Sequence, residues 1–597
     1  MVPGLDVLLV VPPCASASLP VLGPSVLCAA LRDAGYSCHV LYANLEFAAR
    51  VGFMQYRKFA LSVEKLHGEM LFAGAAWGRP LEVRPSEFDA RADGISFEEF
   101  TAAQEQVPAF VEDVAATIAN VRPAIVGFSS VFQQTIASVA LAKAVRERRP
   151  EAVLLLGGAN AAAPMGAAIA EATDAFDHVV SGEGEVGLPV LVGRLLAGDA
   201  PDEPLVEMPR VPRMDLVPTP VFDDFYAQVR PLMASERLPE GLPVALPFES
   251  SRGCWWGERS HCTFCGLNGL EIAERAHTPE RVLADIEHLV ATYGAHELRA
   301  SDDLLPIRIQ REVLPELVSR QAAREVALTF FYEVKSSMRR KDLRLLAAAG
   351  VTQVQAGLES LSTDTLEAMR KGVTGPMNIV FLREARAAGV DPLWNWMVGF
   401  PNDQREDYDA FLRVAPFLHH LRPPVALAPV RVDRFSPYHN DPEAFGISDL
   451  QPLPGSARVW PEGTELHAIS YHFTGTMRSP YRSSRRLAAR IDRCLAEWTA
   501  AWAEGPPTLE GVDAEDGGMT VRDTRRLAAD SEVRLSPAVA ALLRRLDKPM
   551  PYEVAEAESE VPAFGGLLQR GLVVQHEGML ISVVVRASSA QSDTLDA

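Results

Sequence analysis

The residues in this chain best suited to chemistry are Cys254, Cys262 and Cys265. They lie in one stretch, Glu249-Ser-Ser-Arg-Gly-Cys-Trp-Trp-Gly-Glu-Arg-Ser-His-Cys-Thr-Phe-Cys-Gly-Leu-Asn-Gly269, with the spacing C-x7-C-x2-C. Three thiolates on one glycine-rich loop suit three irons of a 4Fe–4S cluster and leave the fourth iron open to a small ligand. Two other chemistries use similar residues. A C-x2-C pair can be half of a zinc site, but a fourth Cys or His at zinc-finger spacing is missing and only His261 is close. A redox C-x-x-C needs a thioredoxin-like helix start and leaves Cys254 without a role.

Elements must hold such a loop, and composition bounds them. A chain of 597 residues exceeds one hydrophobic core, so three or four domains are expected. Its 48% apolar content suits a globular protein. A net charge of −21 gives no long-range attraction to nucleic acid. The apolar run Val7–Val11 is short and lacks a basic flank, so it reads as a strand and not as a signal peptide or membrane span. The other four cysteines, Cys14, Cys28, Cys38 and Cys494, are scattered, which fits a reducing cytoplasm.

In residues 1–199 the pattern is β/α. Asp6-Val-Leu-Leu-Val-Val-Pro-Pro13 is an apolar run of the kind buried on both faces of a parallel sheet. A helix over 25–34 follows Pro24 and stops at Gly35, and a strand over 37–42 comes next. The rhythm resumes at Ala124-Ile-Val-Gly-Phe-Ser-Ser130, Ala152-Val-Leu-Leu-Leu-Gly-Gly-Ala-Asn160 and His178-Val-Val-Ser-Gly-Glu-Gly-Glu185. Each run ends in small residues, where a ligand approaches the carboxyl ends of parallel strands. Residues 43–120 read as a helical insertion with Phe97, Phe100, Val107, Phe110, Val111 and Val114 in its core. Residues 200–245, rich in proline, read as an extended linker.

The β/α rhythm returns over 246–440, with six units. Strands are expected at 246–250, 297–303, 327–335, 350–360, 392–401 and 425–432. Thr278-Pro279 opens a helix that shows Val282, Leu283, Ile286, Leu289 and Val290 on one face and stops at Gly294. Another helix has Ser362 as its N-cap and Arg370-Lys371-Gly372 at its negative end. Glu333 and Lys335, two residues apart, share a strand face. Asp302 and Asp303 end a strand, to contact a ligand or to cap the next helix. Trp394 and Trp396 share one strand face and Asn395 takes the other; one is core and one is cavity. Six units make a partial barrel, with chemistry at the strand C-termini.

The cysteine loop resembles that of radical S-adenosylmethionine (SAM) enzymes, with their usual C-x3-C-x2-C lengthened. Ser251-Arg-Gly-Cys-Trp-Trp-Gly257 and His261-Cys-Thr-Phe-Cys-Gly-Leu-Asn-Gly269 are similar in wording to the branch that matures ribosomally made peptides (RiPPs) and carries a cobalamin-binding domain. The resemblance implies that Cys254, Cys262 and Cys265 ligate the cluster, Phe264 lies against adenine and Gly266 leaves room for the methionine end of SAM. The family's frequent Gly-Gly-Glu is Gly-Leu-Asn here. Glu333 and Lys335 then either grip the amino and carboxylate groups of SAM or form a plain buried ion pair. Gly357-Leu-Glu-Ser-Leu-Ser362 resembles the family's G-x-I-E-x-x-S segment, which gives Glu359 and Ser362 places near ribose and methionine. In the N-terminal domain, Ser129, Ser130, Gly157, Gly158, Gly182 and Glu183 resemble a cobalamin site. The D-x-H-x-x-G signature of cobalt-ligating histidine is absent from residues 1–200, and His39 and His178 lie in other contexts. The implied lower face of cobalt therefore has no histidine.

Beyond the barrel, Arg434, Ser436 and Tyr438 resemble peptide-maturase positions. Residues 441–504 read as a helical extension and 505–597 as a winged-helix-like module: strand 519–522, helices 537–546 and 562–571, strand 573–585 with a turn at Glu577-Gly578, then a disordered tail at 587–597. Similar modules bind leader peptides by strand addition; a lid or dimer surface is the other reading. The expected fold is α/β: a flavodoxin-like (Rossmann-like) cobalamin domain, a partial (β/α)6 TIM-like barrel and a C-terminal α+β region. The expected activity is cobalamin-dependent C-methylation of a precursor peptide in the cytoplasm, fed by a cellular one-electron reductant, with neither nucleic acid nor membrane as partner. The alternatives are radical oxidation, cross-linking or ring formation on a peptide, methylation of a small molecule, or a cluster-bearing scaffold.

Overall fold

The computed structural model describes residues 4–88, 94–242, 244–267, 269, 271–324, 326–554 and 564–586. The chain divides into two compact units. One comprises 1–249, 275–299 and 451–474, the other 250–274, 300–450 and 475–597.

The first unit is built on six parallel strands: β1 (Val7–Val11), β2 (Cys38–Tyr42), β3 (Ile125–Ser129), β4 (Val153–Gly157), β5 (His178–Ser181) and β6 (Leu205–Glu207). Their order is β2-β1-β3-β4-β5-β6. Every residue of β1 is buried, which helices on both sheet faces explain. Val7 is in register with Cys38 on one side and with Ile125 on the other, so strand order reverses between β1 and β3. Ligands of open α/β sheets collect at such a reversal, beyond the carboxyl ends of the strands.

The insertion is helical, as its pattern predicts: Ala43–Val51, Phe53–Leu61, His67–Trp77 and Phe97–Val121. Phe100, Val107, Phe110, Val111 and Val114 are buried. A buried carboxylate clips this insertion to the sheet. Glu69 accepts the backbone N–H groups of Thr135 (3.1 Å) and Ile136 (2.8 Å), the free donors that open helix Thr135–Arg148. Burial pushes its carboxyl up to about 7, the two amide contacts only partly opposing. A raised carboxyl stabilises the fold fully below its ordinary value and loses that contribution as pH rises through the raised one. Stability should therefore fall between pH 4.5 and 7, by up to roughly 3 kcal/mol at about 1.4 kcal/mol per pKa unit. Glu69→Gln should flatten that slope in thermal melts across the window. An unchanged slope would remove Glu69 from the account.

Two expectations need correcting. Residues 200–245 are not an extended linker: they supply β6 and helix Asp223–Ala234 to the first unit. Phe225 and Val229, one turn apart, are buried, and Asp224 holds Arg32 (3.1 Å), His39 (2.7 Å) and the Val40 N–H (2.9 Å). Prolines flank the edge strand, where a missing N–H does no harm, so they conceal an element without breaking it. Nor are residues 441–504 wholly helical. Strands Ile447–Pro452 and His472–Met477 precede helix Arg485–Ala503. Residues 451–474 pack in the first unit, where Trp77 donates to the Val459 carbonyl (2.6 Å) and meets Trp460 at 5.7 Å.

In the second unit β7 (Thr329–Val334), β8 (Val351–Ala356) and β9 (Asp391–Leu393) are parallel neighbours, as are β10 (Asn395–Val398) and β11 (Ala426–Pro429). The fifth expected strand is thus two. It changes partner at Trp394, whose carbonyl takes the Val425 N–H (2.7 Å). Trp394 and Trp396 are 2% exposed and Asn395 is exposed, so the tryptophan face is core. The C-terminal region holds strands Leu509–Asp513, Met519–Asp523 and Glu532–Leu535, helix Pro537–Arg545, helix Phe564–Gln569 and a hairpin, Val573–His576 with Met579–Ser582. Glu577 (φ 50°) and Gly578 (φ 73°) form its turn, both left-handed as a two-residue hairpin loop of type I′ demands. Residues 562–563 and the tail at 587–597 lie outside the described residues. Among the described residues no helix is long and apolar enough to cross a membrane.

Candidate active site

Buried Asp302 pins the entry to the cysteine loop. Its carboxylate accepts the N–H groups of Ser250 (2.7 Å) and Ser251 (3.2 Å) and the Ser250 hydroxyl. It caps no helix; Pro306 stands at the start of the next one. Gly253 (φ 85°) then turns the chain so tightly that a Cβ there would lie 2.3 Å from the Ala273 carbonyl oxygen. The long spacer between the first two cysteines is a short helix, Trp255–Arg259, and the Cys254 sulfur accepts the Gly257 N–H at its start (3.4 Å). Both indoles anchor this helix: Trp255 donates to the Leu305 carbonyl (3.2 Å) and Trp256 to that of Arg370 (3.1 Å). His261 Nε2 donates to the Cys265 carbonyl (2.9 Å), so this histidine serves the loop backbone.

Cys254, Cys262 and Cys265 are half-buried free thiols. Burial raises the thiol of Cys254 and pushes that of Cys265 up to about 12, and neighbouring Cys262 and Asp303 act in the same direction. Among the described residues no three His, Cys, Asp or Glu side chains converge as ligands of a single ion would. Cluster thiolates each take a separate iron and need no such convergence.

Charged and aromatic groups stand beside the thiols. Lys371 Nζ pairs with Glu359 (3.2 Å) and lies 5.7 Å from the Phe264 ring centre. Burial opposes its charge, but Glu359 and the thiols of Cys262 and Cys265 outweigh burial and hold it protonated above its ordinary range. Lys335 Nζ sits 3.5 Å from the centre of the Trp256 ring and donates to the Lys371 carbonyl. Burial, reinforced by Lys371, brings it down to about 8. Glu333 and Lys335 are both half-buried on either side of buried Val334, and the Glu333 carbonyl takes the Leu305 N–H (2.8 Å). Glu359 holds a left-handed backbone (φ 59°). Gly266 is buried; Asn268 lies outside the described residues.

The structure redraws two roles here. Lys371 does not close a helix, because helix Thr363–Ala368 has already ended; it is the ion partner of Glu359. Ser362 is the expected N-cap, accepting the Thr365 N–H (3.3 Å), and it also donates to Asp407 (2.8 Å). Sequence reading missed the Trp256–Lys335 contact and the Glu359–Lys371 pair. An aromatic beside the first cysteine and a cation following a G-x-x-E-x-x-S segment are the signals that point to them.

In the first unit Ser129, Gly157 and Ser181 end β3, β4 and β5. The Ser129 hydroxyl is buried with no hydrogen-bond partner. No atom lies nearer than 3.9 Å to a Cβ built on Gly157, so the strand end is open there. An open, small-residue strand edge with an orphaned hydroxyl fits a large planar ligand. Other expected contacts belong to the fold. Ser130 accepts Asn160 Nδ2 (3.0 Å), meets Thr135 Oγ1 (2.8 Å) and donates its N–H to Gly157 (2.7 Å). Gly158 (φ 105°) packs against the Ser130 carbonyl, and a Cβ on Gly182 would lie 2.8 Å from the Met208 carbonyl oxygen. Glu183 is not a free ligand. It holds the Arg275 guanidinium and the Val211 N–H (2.6 Å), and Arg275 is too distant in sequence for the pairing to be read there. His39 pairs with Asp224 and His178 with the Glu203 carbonyl (3.1 Å).

Comparison with known proteins agrees with this geometry. The Radical SAM superfamily model matches residues 248–415. The chain is 25% identical over 324 residues to an uncharacterized methyltransferase of Pyrococcus horikoshii, covering 51% of this chain and 66% of that protein. It is 26% identical over 300 residues to the hopanoid C-3 methylase of Methylococcus capsulatus, covering 48% of this chain and 55% of that one. The matched region thus spans between half and two thirds of these relatives. Two solved structures share the fold. OxsB, a cobalamin-dependent SAM radical enzyme with aqua-cobalamin bound, has a TM-score of 0.53 at 14% identity over 80% of this chain and 65% of its own. TsrM, a radical SAM methyltransferase from Kitasatospora setae with cobalamin and a 4Fe–4S cluster, has 0.52 at 15% identity over 83% and 91%. Matched in this way across its cysteine loop and the parallel strands that follow, the chain carries a radical SAM domain at residues 248–415.

Proposed function

We propose that this protein is a cobalamin-dependent radical SAM C-methyltransferase. One observation carries the reading: three free thiols on an anchored loop stand beside a Glu359–Lys371 pair and a Lys335 ammonium. When bound, a 4Fe–4S cluster supplies the electron that opens SAM to a carbon radical, and cobalamin supplies the methyl carbon.

The chain's own residues do the remaining work. Burial keeps the Cys254 and Cys265 thiols protonated, so loading iron releases protons. Cys254, Cys262 and Cys265 hold three irons and leave one for SAM. Lys335 and Lys371 offer positive charge to the SAM carboxylate, and Glu359 offers an acceptor to its ammonium. Phe264 gives an apolar face to the adenine. Ser129 and the open end at Gly157 receive the corrin. The similarity to two methyltransferases supports transfer of a methyl group.

For the substrate we favour a precursor peptide with a leader segment. A groove of about 510 Å³ runs beside edge strand Val573–His576, lined by Arg413, Phe417, Leu568, Gln575 and Glu577. Such an edge accepts an added strand, and Arg413 suits an acidic leader. The similarity to a hopanoid methylase favours a second reading, a small apolar substrate.

The test is anaerobic purification, reconstitution with iron and sulfide, and addition of hydroxocobalamin, SAM and a one-electron reductant. Four irons, one cobalamin and 5′-deoxyadenosine per chain are expected. The same product without cobalamin binding would leave radical chemistry and remove methyl transfer through cobalt. Absence of iron would remove the whole reading.

A further inference from the structure

We propose that the C-terminal hairpin, through Glu577, positions the stretch 357–362 and with it the Glu359–Lys371 pair offered to SAM. The inference rests on the SAM reading of that pair and adds a positioning residue to it. Between β8 and helix Thr363–Ala368 the chain belongs to no helix or strand, and Glu359 is left-handed there (φ 59°). Backbone groups in such a stretch need partners from elsewhere. The hairpin supplies two, 214 and 215 residues along the chain. Glu577 accepts the Thr363 N–H (2.7 Å) on one carboxylate oxygen and the Thr363 hydroxyl on the other. Buried His576 donates from Nε2 to the Leu361 carbonyl (2.6 Å). Burial pulls this imidazole below its ordinary range, so the ring stays neutral.

These contacts do more than dock the C-terminal region. Helix Thr363–Ala368 is the span between Glu359 and Lys371, whose side chains pair at 3.2 Å. Thr363 is its first residue, so the Glu577 carboxylate rests on its amino end, where a negative charge is favoured, and fixes the spacing of the pair. Thr363 Oγ1 also accepts the Gly375 N–H (3.0 Å), which ties helix Gly375–Ala388 to the same point. A Cβ on Gly375 would collide with the Leu361 carbonyl oxygen and lie 3.0 Å from His576 Nε2, so three segments meet there without spare room. The other holds on the stretch come from barrel helices: Ser362 on Asp407 (2.8 Å), and Asn378 on the Leu358 and Ser360 carbonyls (3.0 and 2.8 Å). Glu577 differs from these in also lining the groove beside Val573–His576. The wall that receives a leader strand is thus the wall that steadies the SAM segment. Loss of activity on removing the C-terminal region then reports SAM binding as well as substrate binding.

The experiment compares wild type, Glu577→Asn and Glu577→Gln, each as the full chain with its cluster reconstituted. Iron content, melting temperature and SAM affinity by equilibrium dialysis are measured for all three. Asn suits the left-handed position before Gly578, so Glu577→Asn keeps the hairpin turn, but its side chain is one methylene too short for Thr363. This variant should retain iron and melting temperature and bind SAM about tenfold more weakly, the order of effect expected for losing hydrogen bonds to a charged group. Glu577→Gln keeps the reach and should stay within about threefold of wild type. Wild-type affinity in Glu577→Asn overturns the proposal. Equal losses in the two variants overturn it as well, because Gln retains the contacts. A loss in Glu577→Asn that comes with less iron or a lower melting temperature makes the hairpin a structural support alone and overturns the positioning role. If wild type carrying four irons binds no SAM, the failure belongs to the underlying reading and takes this proposal with it.

Discussion

Cys254→Ala, Cys262→Ala and Cys265→Ala should each yield a folded protein that no longer assembles four irons and makes 5′-deoxyadenosine only at background. The expectation follows from ligand count: a cluster held by three protein thiolates has no spare ligand, and His261 is committed to the Cys265 carbonyl. The fold should survive, because other residues anchor the loop. Asp302 holds its entry, Gly253 its turn, and Trp255 and Trp256 the helix of its spacer. Iron content and melting temperature separate the two effects. The controls are Cys28→Ala, Cys38→Ala and Cys494→Ala, whose buried thiols lie in the cores. They should keep iron and product while losing some stability to small cavities. Full iron and full product in any one of the three loop variants would sink the assignment of that cysteine. Loss of iron in a control would show that iron content follows stability and not ligation.

Legibility in the sequence followed the range of the interactions. The helix from Pro279 to Tyr293 was readable at both ends, because Thr278 caps it locally and Gly294 closes it at φ 65°. The parallel strands were readable because each is an apolar run broken by small residues. The cysteine loop was readable as a motif, but its rigidity was not. Asp302 lies 52 residues from Ser250, and Arg370 lies 114 from Trp256. Glu183 misled for the same reason: the Arg275 that neutralises it is 92 residues away. Helix Asp223–Ala234 was hidden because proline density signals a linker and Pro231 lies inside the helix, which masks the helical spacing of Phe225, Val229, Leu232 and Met233. Residues that touch a ligand are read from motifs; residues that aim them are read from the fold.

Arg383→Ala should be the most destabilising single change in the second unit, at about 3–5 kcal/mol, the usual cost of breaking a buried ion pair from one side. Arg383 is 2% exposed in helix Gly375–Ala388. Its guanidinium donates to Glu384 (2.6 and 3.0 Å), to the Asp547 carbonyl (2.7 Å) and to the Ser582 carbonyl. One side chain thus joins the barrel helix to two C-terminal segments. Arg340 also reaches Glu384 (2.9 Å). Burial alone would raise the Glu384 carboxyl, but Arg340 and Arg383 outweigh burial and hold it at about 2. A depressed carboxyl stabilises the fold above its ordinary pKa, and the contribution disappears as pH falls toward the depressed value. The wild type should therefore lose stability between pH 4.5 and about 2. In Arg383→Ala, one of the two cations that hold Glu384 down is gone, so its pKa rises and this loss covers a narrower range of pH. The variant also leaves two carbonyls without their donor. Arg383→Met keeps most of the stem and should recover part of the packing but none of the pairing. Urea unfolding at pH 7 measures the loss, and acid titration of both variants locates the window. A loss below about 1 kcal/mol in Arg383→Ala would place this network among the exposed ion pairs that contribute little. The C-terminal region would then be held by its apolar contacts and by its other polar ones, such as His420 to the Val583 carbonyl (2.7 Å) and Arg525 to the Phe417 carbonyl (2.7 Å).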